Sequence, residues 1–393
     1  MTVFGISLVW RSPLYSSSHD SGSLNVPLVG YSHSLGIFGE YLSAEIPLVL
    51  RKTDAEGWVQ TGLGRDITIY NPGGTRIFRG FVNRISARIG GISFELGPMT
   101  DIANRVMATY TARVILDDFI TDAGQAETTL VEDTESQDLY GIWERVIQAG
   151  TCLVDPATGY NEAEDARDIY LAQFRYPQSV FTVTPNTQET GAVVLTVEGY
   201  QNWLGAYIYQ PREIGTGGAA VTQTVTQKII DALGDNPNTA ILNTSMFRVG
   251  ANAALKVDRE NQYRTALEVI EDVVKIGDGV SPWRFYVNED REAVYELVDL
   301  QIAYVYHLSE NKQAVYDYLT RSLVAPWDVK PGRVIFLADW LIGEYGYPGA
   351  PGIDPRVALI NEVRYTAPYG LDISSVPLNR FENYLNMKAG GQY

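Results

Sequence analysis

A single cysteine, Cys152, in 393 residues excludes an intrachain disulfide, so packing or partner subunits must hold the fold, and a reducing site of folding is expected. Histidine is almost as scarce: His19, His33 and His307 stand far apart, and no two share a turn of helix, which leaves no paired-imidazole zinc motif. Nowhere do eighteen apolar residues run together, so no segment is expected to span a bilayer as a helix, and the chain reads as soluble. Met1–Arg11 lacks a basic start and a small-residue cleavage site, and its alternation predicts a strand rather than a signal peptide. Basic residues are outnumbered, 30 Lys and Arg against 47 Asp and Glu, for a net charge of −17. That balance argues against tight binding of a phosphate backbone.

The usual carriers of chemistry are also missing. No glycine-rich phosphate loop ends in Lys-Ser or Lys-Thr, no nucleophile elbow occurs, and no cysteine cluster occurs. Gly215-Thr216-Gly217-Gly218 has no lysine beside it and reads as a flexible connector. The acidic stretch from Asp117 to Asp138, with Asp118, Asp122, Glu127, Glu132, Asp133 and Glu135, does not match the spacing of a calcium loop and reads as a solvated face. Carboxylates are too many for one pair to stand out as a glycosidase acid and nucleophile. No catalytic, cofactor-binding or metal-ligating residue is assigned, and the chain is read as a non-enzyme.

What the sequence does hold is a pattern that occurs twice. Gly64-Arg65-Asp66-Ile67-Thr68-Ile69 opens a strand, Asn71-Pro72-Gly73-Gly74 turns it, and Arg76–Ile85 returns. Gly90-Gly91 then supplies a two-residue turn into Ile92, Phe94 and Leu96. Far along the chain Gly332-Arg333-Val334-Ile335-Phe336 repeats the opening and Arg356–Tyr365 the return, with Asn361-Glu362-Val363 matching Asn83-Arg84-Ile85. The connection between the halves is ten residues longer in the second copy, a length difference that loops accommodate at little cost. Phe94-Glu95-Leu96-Gly97, leading to Ile102, Val106 and Tyr110, and Thr196-Val197-Glu198-Gly199, leading to Leu204, Tyr207 and Ile208, are each predicted to open a short helix. The second copy is therefore predicted to be split by an insertion.

Three further helices are predicted. One carries Leu139, Ile142, Trp143, Val146 and Ile147 on a single face and stops at Gly150. Another runs over 222–233 with Val225, Ile229 and Leu233 stacked, ending at Gly234. The last runs over 263–276 and closes at Gly277, before a hairpin of Trp283–Val287 and Tyr295–Val298 across Asn288-Glu289-Asp290. Tyrosine is abundant, with 25 copies, which suits half-buried sheet faces and subunit contacts.

In its arrangement of parts the chain resembles the baseplate hub and tail-tip proteins of tailed bacteriophages. The resemblance rests on Phe78-Arg79-Gly80-Phe81-Val82 and Phe94-Glu95-Leu96-Gly97 in a first barrel, and on a second barrel interrupted between Tyr209 and Pro326. Ala325–Gly332 entering the last strands and Tyr365-Thr366-Ala367-Pro368 leaving them complete it. It covers nearly the whole chain. It implies a mainly β fold with α+β insertions, built as two similar antiparallel β-barrels, the second interrupted by an α/β module. The implied parts are a first hub barrel over 1–110, a helical and acidic insert over 111–170, a split second barrel over 171–215 and 321–380, an α/β insertion over 216–320, and a tail over 381–393.

The resemblance further implies a structural virion protein without cofactors, folded in the host cytoplasm and placed at the tail tip. There a homotrimer, with six barrels, would adapt the six-fold tail tube to the three-fold tip. Its partners would be tail-tube, distal-tail and spike or fibre proteins, and genome DNA would pass through its lumen without tight binding. Two alternatives stand beside it: a hexameric distal-tail ring, which needs one barrel per chain, and a virion protein that binds or degrades glycans.

Overall fold

The computed structural model describes residues 6–13, 21–26, 30–36, 40–116, 119–184, 190–209, 222–234, 236–237, 242, 248–249, 254–256, 263–278, 281, 283–307, 314–338, 356–367 and 370–376. The fold is mainly β. The first elements are β1 (Ile6–Arg11), β2 (Ser21–Val26), β3 (Ser32–Leu35), β4 (Tyr41–Arg51), α1 (Lys52–Thr61), β5 (Asp66–Tyr70), β6 (Arg76–Ile89) and β7 (Ile92–Leu96). As the alternation predicts, β1 is a strand and β5, β6 and β7 are successive antiparallel neighbours, with Ile89 opposite Ile92 across the glycine turn.

Between 105 and 199 lie β8 (Arg105–Leu116), β9 (Phe119–Glu127), β10 (Val131–Glu132), α2 (Thr134–Tyr140), β11 (Glu144–Asp155), β12 (Tyr160–Asn161), α3 (Glu162–Phe174), β13 (Ser179–Val183) and β14 (Thr190–Gly199). Two expectations fail here. Val106 and Tyr110 lie in β8, after a 3-10 turn at Met99–Asp101, and Val146 and Ile147 lie in β11, which runs parallel to β8. The segment 111–170, expected as a helical and acidic insert, instead shares a separate five-stranded sheet that begins at Arg105, with α3 packed on β8 and β11. Gly141 stops α2 with φ of 78°, and the β-branched Val146 and Ile147 follow it into extended backbone.

The α/β module contains β15 (Ile208–Tyr209), β16 (Thr222–Thr224), α4 (Val225–Gly234), β17 (Arg248–Val249), β18 (Ala254–Lys256), β19 (Arg264–Thr265), α5 (Ala266–Val274), β20 (Trp283–Val287) and β21 (Ala293–Leu297). Both predicted helices are present, starting three residues later than the pattern set them. In α5 a capping box explains the start: Glu268 N donates to Thr265 Oγ1, and Thr265 N to the Glu268 carboxylate. One apolar core runs from Ile46, Ile67 and Phe81 of the first sheet through Trp203 to Ile229 of α4 and Ile270 of α5.

Last come β22 (Ile302–His307), β23 (Val315–Asp317), β24 (Val334–Ala338), β25 (Val357–Thr366) and β26 (Gly370–Val376). β24 is buried on both faces, Val334 and Phe336 in one apolar cluster and Ile335 in another. The main sheet has 14 strands, along the path β2-β1-β5-β6-β14-β4-β3-β25-β24-β22-β23, with β7, β13 and β26 branching from it. β2 approaches β4, so the first part of the path curls around its core. β14 corrects the expected division: it lies between β4 and β6, in the first part of the sheet rather than in a split second barrel.

The twofold pattern survives that correction and becomes sharper. Gly64 N donates to Val82 O and Val82 N to Arg65 O; Gly332 N donates to Ile360 O and Ile360 N to Arg333 O. Asp66, Ile67 and Thr68 of β5 face Phe81, Gly80 and Arg79, while Val334, Ile335 and Phe336 of β24 face Leu359, Ala358 and Val357. On the other edge of β6, β14 pairs with a bulge that skips Asn83. On the matching edge of β25, β26 pairs with a bulge that skips Asn361. The three-stranded unit β5-β6-β14 is thus matched by β24-β25-β26, with turn, register and bulge in the same places.

Both corner glycines sit at positive φ, 74° for Gly64 and 66° for Gly332. Gly64→Ala and Gly332→Ala are each expected to destabilise by about 1–2 kcal/mol, the cost of forcing an L side chain into the left-handed region. Gly57, inside α1, has open space where a Cβ would go, and Gly57→Ala should instead stabilise by about 0.5–1 kcal/mol. Urea unfolding of the three variants checks the contrast.

The glycine-rich stretch 343–352, Gly215–Gly218, His19, the tail over 381–393 and residues 16–20 of the polar stretch 16–23, which reads as a surface loop, lie outside the described residues; Ser21–Ser23 of that stretch instead open β2. Among the described residues no helix is long and apolar enough to cross a membrane.

Candidate assembly site

Two of the charged groups that the fold buries, Asp66 and Arg79, meet where three parts of the chain join. Asp66, at the start of β5, lies opposite Phe81; Arg79, two residues earlier on β6, is therefore its diagonal neighbour on the same face. Arg79 donates from Nε and Nη2 to the two Asp66 oxygens at 3.1 and 2.8 Å, and Tyr200 Oη donates to Asp66 Oδ1 at 2.8 Å. Burial pulls the Arg79 guanidinium down, but the hydrogen bonds and charge of Asp66 outweigh it and the net shift is upward. Tyr200 is held well above the usual phenol range by burial and then by the Asp66 charge.

The turn between β20 and β21 is seated on this cluster. Arg76 and Arg79 both donate to Glu289 O, Arg76 also pairs with Asp290, and Tyr41 Oη donates to Glu289 Oε2 at 3.3 Å. Lys330, which leads into the second unit, lies with Nζ 5.8 Å from the Tyr41 ring centre. Burial lowers its pKa, and the charges of Glu289 and Asp328 partly restore it. First sheet, inserted module and second unit are thereby pinned at one place. Asp66 accepts from two partners and Arg79 donates to two, an arrangement suited to holding parts in register.

His33 of β3 is enclosed nearby, with Tyr31 Oη 3.0 Å from Nδ1 and the rings of Tyr365 and Phe78 at 5.4 and 5.7 Å. Burial, followed by the Lys330 charge, lowers its pKa from 6.5 to about 3. His307 is far along the same sheet, edge-on to Tyr316. Cys152 is free and buried, and burial raises its thiol pKa. The acidic residues read as a solvated run are spread out: Asp122 pairs with Arg113 on the β8–β9 ribbon, and Asp133 caps α2 and pairs with Arg175. Among the described residues no three His, Cys, Asp or Glu side chains are grouped to hold a metal.

Two exposed apolar ribbons complete the surface. Leu116, Phe119 and Ile120 stand out at the end of β8–β9, and Ile92, Val180, Phe181 and Val183 on β7–β13. Phe94 and Phe181 stack across the second ribbon, with centroids 6.4 Å apart and planes 10° apart. Its one acidic residue, Glu95, is paired with Arg84. The Asp66–Arg79 pair was open to sequence reasoning as two opposite charges on the two arms of one hairpin; Tyr200, 134 residues from Asp66, gave no local signal.

No family model matches the sequence, and no curated protein does. Among solved structures the chain is similar to the 43 kDa tail protein of prophage MuSo2 from Shewanella oneidensis, with 8% identity and a TM-score of 0.40 over 94% of this chain and 96% of that one. It is also similar to the E. coli c3393 protein, described as a type VI secretion component resembling the T4 tail proteins gp27 and gp5, with 15% identity and a TM-score of 0.27 over 51% of this chain and 61% of that one.

Proposed function

We propose that the chain is a structural protein of a phage tail, a hub that assembles as a trimer between a six-fold tail tube and a three-fold tip, without catalysis of its own. One observation carries this reading: the register-matched unit that occurs twice in one sheet. Three chains then offer six similar units to a six-fold neighbour while keeping three-fold symmetry toward the tip, and closed rings leave no interface unfilled. A distal-tail hexamer needs one unit per chain, and six copies of this chain would offer twelve.

In this reading the two units are the two barrels that meet the tube, and the inserted α/β module between them ends at β21, short of the expected 320, because β22 pairs with β24, and β23 with β22, in the main sheet; tube, distal-tail and spike or fibre proteins are the partners. The net charge of −17 suits a conduit, because a negative wall repels DNA phosphates. The test is light scattering and negative-stain class averages of the purified chain with and without tail-tube protein. A trimer with six lobes that binds the end of the tube is expected. A six-fold ring of this chain, or a monomer indifferent to the tube, would overturn the reading.

A further inference from the structure

The sheet joins its second unit to its first through β3 and β4, and the same join begins again on the far side of the first unit. β3 lies on β25 with Leu35, Ser34 and His33 opposite Val363, Arg364 and Tyr365. β7 lies on β6 with Leu96, Glu95 and Phe94 opposite Ile85, Ser86 and Ala87. Those are equivalent positions of the two units. The next strand out also matches: Ser32, His33 and Ser34 face Glu45, Ala44 and Ser43 of β4, while Ser93, Phe94 and Glu95 face Thr182, Phe181 and Val180 of β13. β7–β13 is therefore to the first unit what β3–β4 is to the second.

The two joins differ in what comes next. β4 continues onto β14, the third strand of the first unit, with Ala44, Glu45 and Ile46 opposite Val197, Thr196 and Leu195. β13 continues onto nothing among the described residues, and β26, the counterpart of β14, has its outer edge equally unmatched there. Among the described residues one branch of the sheet thus ends in a strand equivalent to β4 and another in a strand equivalent to β14.

We infer that β13 of one copy pairs antiparallel with β26 of a second copy, repeating between chains the join that β4 and β14 make within one. The occupant of the edge is a second copy because β4–β14 supplies the template for every strand of the join. The register follows from the equivalences: Phe181, Thr182 and Val183 stand opposite Ser375, Ser374 and Ile373 of the neighbour. Exposed apolar area supports it, since every residue of β13, Val180 on the opposite face included, is exposed in the single chain. Ala44 and Ile46 are 1% and 0% exposed beneath the β4–β14 join, whereas their counterparts Phe181 and Val183 are 63% and 59% exposed in the single chain. Leu371 and Ile373 already face the inner apolar cluster of the second unit, so the join places Val183 beside Ile373 on that face, as Ile46 sits beside Leu195.

An uncharged strand of Ser, Val, Phe and Thr with an open edge is a template for another strand, and strand addition supplies affinity through main-chain hydrogen bonds. On an acidic chain it is also a place where two copies can meet without bringing carboxylates together. The contact is head to tail, so it forms a closed ring when the rotation per chain closes and an open filament otherwise. The inference deepens the hub reading and rests on it for ring closure alone.

The test is thiol cross-linking of the full chain in a Cys152→Ser background, using Thr182→Cys and Ser374→Cys. Oxidation of the double variant is expected to give a ladder of disulfide-linked chains, and a mixture of the two single variants only dimers. Neither single variant should cross-link alone. Thr182→Cys with Ser375→Cys, one residue out of register and on the opposite face, should cross-link at least about 10-fold less. Val183→Lys should weaken self-association by at least about 10-fold with an unchanged far-ultraviolet circular dichroism spectrum, since it lies on an exposed edge strand. Absence of the ladder at the highest attainable concentration, equal cross-linking at Ser375, or dimers of Thr182→Cys alone would overturn the inference. A ladder without tube binding would sink the hub and keep the join; a tube-bound trimer without cross-links would do the reverse.

Discussion

Replacing Asp66 with alanine is expected to destabilise the chain by about 3–5 kcal/mol, the cost of removing one member of a buried ion pair and leaving the other uncompensated. Asp66 and Arg79 side chains are 1% and 9% exposed, so water cannot replace the lost carboxylate at Arg79. Tyr200 Oη loses its acceptor in the same step, and the Arg79 that remains is less firmly placed to hold Glu289 O of the β20–β21 turn. Asp66→Leu with Arg79→Met removes both charges, and its loss should fall well below the sum of the two single losses, because no orphan charge is left. Urea unfolding of the three variants reads the coupling. A loss under about 1 kcal/mol for Asp66→Ala would mean that the cluster is wet and does not pin the three parts together.

The local hairpins were legible because strand alternation and turn chemistry act over few residues. Ile67 and Ile69 alternate with polar neighbours, Asn71–Gly74 turns the chain, and the structure forms β5, β6 and β7 there. The corner glycines were legible for the same reason, since a left-handed residue before a strand restricts the side chain to glycine. Residues 139–147 misled because Leu139, Ile142, Trp143 and Val146 keep a helical spacing across a boundary. α2 ends at Tyr140, and what decides β11 is parallel backbone pairing with β8, 39 residues earlier in the chain at Glu144 and Arg105. β14 misled more deeply. Its partners on β4 and β6 lie more than 100 residues away, with Glu198 opposite both Ser43 and Phe81, and no local pattern encodes such a pairing. The junction residues were hidden likewise: Arg76 and Arg79 reach a turn more than 200 residues away.

Acid should loosen the chain through His33, and His33→Phe should remove that part of the response. The folded pKa of about 3 lies below the ordinary 6.5 because the ring is buried and close to Lys330. Above about pH 6.5 the imidazole is neutral in the folded and unfolded chain alike, and the group's contribution is fully present. Between 6.5 and 3 the unfolded chain binds a proton that the folded chain refuses, so stability falls as pH falls, by about 1.4 kcal/mol for each pH unit. Phenylalanine keeps the ring contacts with Tyr365 and Phe78 but leaves Tyr31 Oη without the Nδ1 partner. The variant should therefore be weaker by about 1–2 kcal/mol at neutral pH and fall less steeply below pH 6. The difference between wild type and variant isolates the imidazole, because both chains share the same carboxylates. Equal slopes from pH 6 to 4 would mean that His33 takes up its proton in the folded chain. The place of the effect matters as much as its size. His33 sits on β3, between Tyr365 of one unit and Phe78 of the other, so a proton forced onto it acts on the strand that joins the two halves of the sheet.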